Sequence, residues 1–165
     1  MLINKGSYDD FIDEMVKKYY ENIYRYIYCF LKNRDIAQDI TQDVFLKFMK
    51  NIDGYIEQGK IKNYLYVIAK NCVKDYFKKQ KYISFDELSD DMKYSDRMEK
   101  VEDRMVLMDA IDSLKPIEKD IITLKYFGQL KNKEIARVYG KPVSTIRYTL
   151  KRAEKNLKKR LEDEL

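Results

Sequence analysis

The apolar residues of this chain recur every three or four positions, which is the spacing of one face of an α-helix. Alternating runs of β-branched residues bounded by turns are missing, and the 165 residues include only five Gly and two Pro. The sequence therefore predicts an all-α fold. Helices are expected over residues 8–31, 36–51, 64–82, 105–114, 116–126, 133–139 and 142–161.

Capping and breaking residues set the expected ends of these helices. Ser7 is a candidate N-cap for the first helix, and the polar residues 33–35 are expected to interrupt the chain before the second. Residues 53–63 contain two glycines and are expected to form a loop.

An acidic segment separates two groups of predicted helices. Residues 83–103 carry eight acidic side chains against three basic ones, which favours an extended or disordered linker that becomes helical near Glu99. We therefore divide the chain into two small helical domains, residues 1–82 and 105–165, joined by a flexible acidic linker over residues 83–104.

The C-terminal domain ends in two helices separated by a short turn. Gly140 stands where a left-handed residue commonly ends a helix, and Pro142 suits the first position of the next one because it has no amide hydrogen to lose. The second helix has an inward stripe of Ile146, Leu150, Ala153, Leu157 and Leu161. Its outward residues are Ser144, Thr145, Arg147, Tyr148, Lys151 and Arg152. This mixture of base-edge donors and phosphate partners is typical of a DNA-binding helix-turn-helix.

Basic charge is concentrated in two separate segments. Residues 131–160 have a net charge of +9 and residues 60–81 a net charge of +6, whereas the whole chain carries only +5. Two basic segments are expected of a protein that holds a polyanion at two sites. The alternative for either segment alone is an ordinary solvated helix face.

The earlier basic segment also contains aromatic residues. Lys70, Asn71, Lys74, Lys78 and Lys79 are expected on the exposed face of the third helix, with Tyr64, Tyr66, Phe77 and Tyr82 among them. Aromatic rings between lysines suit unstacked bases, so the pattern favours single-stranded nucleic acid. The alternative is that these rings belong to the core, because the chain has fifteen tyrosines.

The second helix has an acidic and amide-rich face around Asp39, Gln42 and Asp43, with Phe45 and Leu46 beside its main apolar stripe. This face is either a contact surface for another protein or simply a solvated surface.

Several functional classes are excluded by composition. The chain has no His, and it lacks glycine-rich phosphate loops and serine elbows, so we expect neither an enzyme nor a metal site nor a cofactor. The two cysteines form no CxxC pair, which fits a reducing cytosol. No signal core or membrane-spanning run is present, so we expect a soluble cytoplasmic protein without membrane insertion.

Taken together, these segments resemble bacterial RNA polymerase sigma factors of the extracytoplasmic-function class. The resemblance covers about residues 19–162 and rests on three quoted segments. The first two are DIAQDITQDVFLKF, similar to the core-polymerase-binding helix, and GKIKNYLYVIAKNCVKDYFKKQ, similar to the promoter-melting and downstream-element segment. The third, DSLKPIEKDIITLKYFGQLKNKEIARVYGKPVSTIRYTLKRAEKNL, is similar to the upstream-element domain.

The resemblance implies residue roles. It places Asp39, Gln42, Asp43 and Phe45 at the polymerase clamp helices. It places Gly59, Lys60, Ile61, Lys62 and Asn63 in a loop that captures an extruded base, and Asn71 and Lys74 near the downstream element. Four of the outward residues, Arg147, Tyr148, Lys151 and Arg152, match positions that face upstream duplex DNA. The chain departs from the family pattern at Ile61 and Tyr64, where an aromatic residue and a tryptophan are usual, and at Thr149, where an arginine is usual.

The implied function is that of a promoter-specificity subunit that binds core RNA polymerase and promoter DNA, with an anti-sigma factor as a further partner. The resemblance also implies that the acidic linker lies in the RNA channel of the polymerase. Two alternatives remain: a two-domain helix-turn-helix repressor or activator that acts independently of core polymerase, and a nonspecific single-strand binder.

Overall fold

The computed structural model describes residues 5–52, 60–82 and 101–164. These residues form helices and connecting turns and contain no strand, so the all-α prediction is confirmed. The chain divides into two compact units, Met1–Asp86 and Glu87–Leu165. None of the helices in the described ranges is both long and apolar enough to cross a bilayer.

The first unit is a bundle of three helices that all contact one another, α1 (Lys5–Leu31), α2 (Arg34–Lys50) and α3 (Ile61–Tyr82). Its core consists of aliphatic residues around two fully buried tyrosines, Tyr26 and Tyr66, whose rings meet edge to face at a centroid distance of 5.8 Å. Lys47 Nζ lies 3.6 Å from Cys72 Sγ and links α2 to α3. Burial raises the pKa of the Cys72 thiol, although the nearby Lys47 opposes that rise.

The ends of α1 and α2 differ from two sequence predictions. Ser7 does not cap α1, because the helix already begins at Lys5. The interruption before α2 covers only Lys32 and Asn33, and the Asn33 side chain caps α2 by accepting a hydrogen bond from the Ile36 amide at 3.1 Å. Asp35 then lies in the first turn, where its charge complements the helix dipole.

The second unit consists of α4 (Val101–Asp112), α5 (Pro116–Tyr126), α6 (Asn132–Tyr139) and α7 (Val143–Glu164). Helix α7 contacts the other three helices of the unit, so it is the centre of this domain. Its buried side chains include Ile146, Leu150 and Ala153, as the apolar spacing predicts. Leu157 and Leu161 continue the stripe but are only half-buried.

The turn between α6 and α7 depends on one glycine. Gly140 has φ 62° and ψ 34°, the left-handed conformation that the sequence predicts for this position. Its amide donates to the carbonyls of Ala136 and Arg137, and the Lys141 amide also donates to Ala136. Helix α7 begins at Val143 rather than at Pro142, whose carbonyl accepts from the first amides of the helix.

Much of the predicted linker lies outside the described residues, which resume at residue 101. From Val101 the chain is helical, so residues 101–104 belong to α4. The last three residues of the predicted loop over residues 53–63 are also helical, because α3 begins at Ile61. Residues 53–59 lie outside the described residues.

The left-handed conformation of Gly140 makes a testable prediction. A Cβ at this position would meet nothing within 4 Å, so only the backbone conformation penalises a side chain. We expect Gly140→Ala to destabilise the second unit by about 1 kcal/mol. Gly140→Asn should cost less, since asparagine tolerates this conformation better. Denaturant titration of the full chain, followed by circular dichroism, measures both changes, and equal losses would contradict the backbone explanation.

Candidate functional site

Helix α2 presents an exposed face formed by Asp39, Gln42, Asp43 and Leu46, which we call the acidic face. The four residues are spaced by three or four positions and therefore share one side of the helix. Leu46 is 52% exposed and places an apolar side chain on this face. An exposed leucine beside two carboxylates provides both an apolar contact and a charge that selects a basic partner.

Phe45 is not part of this face. Its side chain is only 5% exposed and stacks on Tyr20 of α1, with the ring centroids 5.9 Å apart. The position predicted to contact a partner therefore belongs to the core, and Leu46 takes its place on the surface. In the structure Thr41, Val44, Phe45 and Phe48 are buried, and these four positions leave Leu46 on the opposite side of the helix.

The first turn of α3 contains three of the residues predicted to lie in a base-capturing loop. Ile61, Lys62 and Asn63 are helical rather than in a loop, Lys60 precedes them, and Gly59 lies outside the described residues. Asn63 is only 8% exposed, and within the described part of the chain its Oδ1 atom accepts no hydrogen bond. A buried acceptor without a donor is costly, so the described residues leave one hydrogen bond of this carboxamide unmade.

Farther along α3, Asn71 and Lys74 are exposed as predicted, one helical turn apart. The aromatic content of this surface is smaller than the sequence suggests. Tyr66 was expected on the outer face but is fully buried, and Tyr64 packs against Phe48 of α2. Phe77 is the large aromatic side chain that remains exposed next to Lys74 and Lys78, and the Tyr82 side chain lies outside the described residues.

Helix α7 presents a second exposed surface, which we call the recognition face. It is formed by Ser144, Thr145, Arg147, Tyr148 and Lys151, all of which are exposed as the sequence predicts. These residues lie in the first half of the helix, immediately after the turn at Gly140, which is the part of a helix-turn-helix that meets base edges in a DNA groove.

Arg152 makes a contact with the core that the sequence does not predict. Its Nε donates to Oε1 of Glu118 in α5 at 2.7 Å, and Asn156 Nδ2 lies 3.4 Å from the other carboxylate oxygen. Glu118 is 1% exposed. The Arg152 side chain is 41% exposed and supplies the cation that the buried carboxylate requires. A contact of Arg152 with upstream DNA stays a prediction. Sequence reasoning missed Glu118, although it lies three residues before the core residue Ile121.

Two further hydrogen bonds involve side chains of α7, one within the helix and one to α5. The Thr149 side chain is buried, and its hydroxyl donates to the Thr145 carbonyl at 2.9 Å, so this position lies away from the recognition face. Tyr126 of α5 donates its hydroxyl hydrogen to Glu154 Oε1 at 2.5 Å. That hydrogen bond, together with partial burial, raises the pKa of Tyr126.

Comparison with protein families matches both units. Residues 15–82 match the Sigma-70 region 2 model, and residues 104–157 match the Sigma-70 region 4 model. Between them these matches contain the acidic face, the described part of α3 and the recognition face.

The chain is also similar to individual proteins. It is 30% identical to the ECF RNA polymerase sigma factor SigW of Bacillus subtilis, over 98% of this chain and 94% of SigW. It is 28% identical to the ECF RNA polymerase sigma factor BldN of Streptomyces coelicolor, over 94% of this chain but only 62% of BldN. Among solved structures it is similar in fold to the sigma factor RpoE of Bartonella quintana, crystallised with the anti-sigma factor NepR. The TM-score is 0.77 at 18% identity, with coverage of 93% of this chain and 97% of RpoE.

Phe45 and Leu46 are neighbours with opposite burial, and this difference generates a prediction. Phe45→Ala should destabilise the first unit by about 3 kcal/mol, because it leaves a cavity against Tyr20. Leu46→Ala should change the stability by less than about 0.5 kcal/mol, because its side chain is already in water. Urea unfolding of the two full-length variants checks the contrast, which equal destabilisation would contradict.

Proposed function

This chain belongs to the extracytoplasmic-function class of RNA polymerase sigma factors, and on that premise we propose how its two units direct transcription initiation. It is a promoter-specificity subunit rather than an enzyme, because sigma factors leave the chemistry to the polymerase. One observation carries the assignment of surfaces: a single chain has an acidic helix face in one unit and a basic helix-turn-helix in the other. A helix-turn-helix regulator that acts independently of polymerase does not require the acidic helix face.

We assign core-polymerase binding to the acidic face of α2. Its two carboxylates favour a basic partner surface, and Leu46 adds an apolar anchor that the free protein leaves in water. Phe45 supports this face from beneath, since its ring fixes α2 against Tyr20 of α1.

We assign the opened promoter strand to α3. Asn71, Lys74 and Phe77 combine an amide, a cation and an exposed ring within two helical turns, which suits an unstacked base and its phosphate. At the beginning of α3, Asn63 Oδ1 has no donor among the described residues, and it would accept from a base amine once the buried carboxamide is uncovered. The predicted domain boundaries, with residues 1–82 on polymerase and melted DNA and residues 105–165 on upstream duplex, remain part of this proposal.

We assign the upstream duplex to the recognition face of α7. Arg147 is its base-reading candidate because arginine pairs with guanine in the major groove through two hydrogen bonds. Lys158, farther along α7, is exposed and suited to the phosphate backbone. Each unit should bind DNA weakly alone, because the covalent connection and the polymerase raise the effective concentration of the second unit.

The proposal includes localisation and a regulatory partner. A subunit of bacterial RNA polymerase works in the cytoplasm, where the two buried cysteines stay reduced. The solved complex of RpoE with NepR makes an anti-sigma factor a reasonable partner for this chain as well.

The polymerase assignment is tested on α2. The double variant Asp39→Lys/Asp43→Lys should lose about a hundredfold in affinity for core polymerase, because like charges at an interface cost several kcal/mol. Asp9→Lys/Asp13→Lys is the matched control, since it reverses two exposed carboxylates with the same spacing on α1. Core pull-down and run-off transcription give the measurements. Equal binding by both double variants would remove the acidic face from the interface, and transcription activation without core binding would favour the independent regulator.

The DNA assignment is tested on α7. Arg147→Ala should weaken the preferred upstream sequence by about 1–3 kcal/mol and relax the preference at one base pair. Lys158→Ala should weaken all sequences alike and lower the salt slope by about 1. Holoenzyme binding to cognate and scrambled upstream elements at several salt concentrations separates the two effects. Equal losses on both elements for both variants would exclude Arg147 from base reading.

A further inference from the structure

Tyr148 occupies the middle of the recognition face. Its side chain is 67% exposed, with Ser144 one turn before it and Lys151 almost one turn after it. The flanking residues supply hydroxyl groups and positive charge, so the tyrosine ring is the large apolar group on this side of the helix. An exposed aromatic ring surrounded by groups that bind phosphates and base edges is placed to contact a base.

The ring is held from one side. The guanidinium carbon of Arg152 lies 5.8 Å from the Tyr148 ring centroid, one turn along α7, which is within the range of a cation–π contact. Arg152 is held in turn by Glu118, at 2.7 Å from Nε to Oε1. The Glu118 carboxylate cannot move outward easily, because it is almost fully buried and also lies near Asn156.

A series of contacts therefore runs from the interior of the second unit to its surface. Glu118 of α5 fixes Arg152, and Arg152 limits the directions that the Tyr148 ring can take. A side chain that is already ordered loses less conformational entropy when it binds. This arrangement therefore favours the affinity for a base that fits the ring over the affinity for other bases.

The chemistry of the major groove identifies the group that such a ring contacts. Base edges there carry hydrogen-bond donors and acceptors, and the 5-methyl group of thymine is the apolar exception. The carbon atoms of an aromatic ring cannot satisfy a lone donor or acceptor, but they bury a methyl group well.

We propose that Tyr148 reads the 5-methyl group of a thymine in the upstream element, and that Glu118 and Arg152 are the residues that position its ring. This inference rests on the proposed function, because it requires the recognition face to enter the major groove.

The experiment removes the methyl group alone. Duplexes with a randomised upstream element are first selected for binding to the wild-type holoenzyme, and each thymine of the selected duplex is then replaced by deoxyuridine. At one position the wild-type holoenzyme should bind the uracil duplex about fourfold more weakly, the ratio expected for burying one methyl group. Tyr148→Ala should bind both duplexes equally, whereas Tyr148→Phe should keep the preference because it keeps the ring.

The positioning residues are tested by the same ratio. Glu118→Gln should reduce the thymine preference toward one, while the salt slope of binding stays unchanged. Arg152→Lys is a second variant in case the first fails to fold. It keeps a cation near Glu118 but removes the guanidinium plane, so it should also reduce the thymine preference. Asp112→Asn is the matched control: it removes the charge that pairs with Lys119 in the same unit, at 2.7 Å, and should leave the thymine preference unchanged.

The outcomes separate this inference from the function on which it rests. If the holoenzyme does not form, or no upstream element is enriched, the proposed function fails. If an element is enriched but no position depends on the methyl group, or Tyr148→Ala keeps the dependence, the reading of thymine by Tyr148 is wrong. A full thymine preference in a folded Glu118→Gln or Arg152→Lys variant would overturn the positioning role alone.

Discussion

Helices α2 and α7 each have to fill the core of a small unit on one side while the other side stays available for binding, and this constraint shapes both units. A helix in a bundle of three or four members is covered along part of its surface only. In α2 the covered part contains Val44, Phe45 and Phe48. The uncovered part holds the two carboxylates and Leu46. The surfaces that we propose for binding are therefore the sides of helices whose opposite sides stabilise the fold.

In the second unit, an ion pair between two helices contributes to the fold as well. Glu118 is buried, and a buried carboxylate is stable only with a partner, which Arg152 supplies from α7. The pair joins α5 to the helix that carries the recognition face, and Tyr126 with Glu154 joins the same two helices again. The proposed recognition of upstream DNA requires α7 to be held in a fixed orientation. Polar contacts with defined geometry serve that need better than aliphatic packing alone.

Sequence periodicity fails where a helix has polar or aromatic residues on both sides. Phe45 and Leu46 are adjacent and apolar, so neither composition nor hydropathy says which one faces the solvent. Tyr66 was expected outside with the lysines of α3, yet it is fully buried against Tyr26. Tyrosine is amphipathic and fits either environment. In both cases the packing of the neighbouring helix decides which side chain is buried.

The sequence by itself determined the all-α class, the division into two helical domains, the glycine turn before α7 and the family. Each of these depends on local spacing, on a backbone conformation that glycine favours, or on motifs that are contiguous in the chain. Only the tertiary structure decided that Phe45 is core and Leu46 surface, and that Arg152 pairs with Glu118. Glu118 and Arg152 are 34 residues apart. A contact between two such distant residues exists only after the helices pack, and their burial gives it its strength.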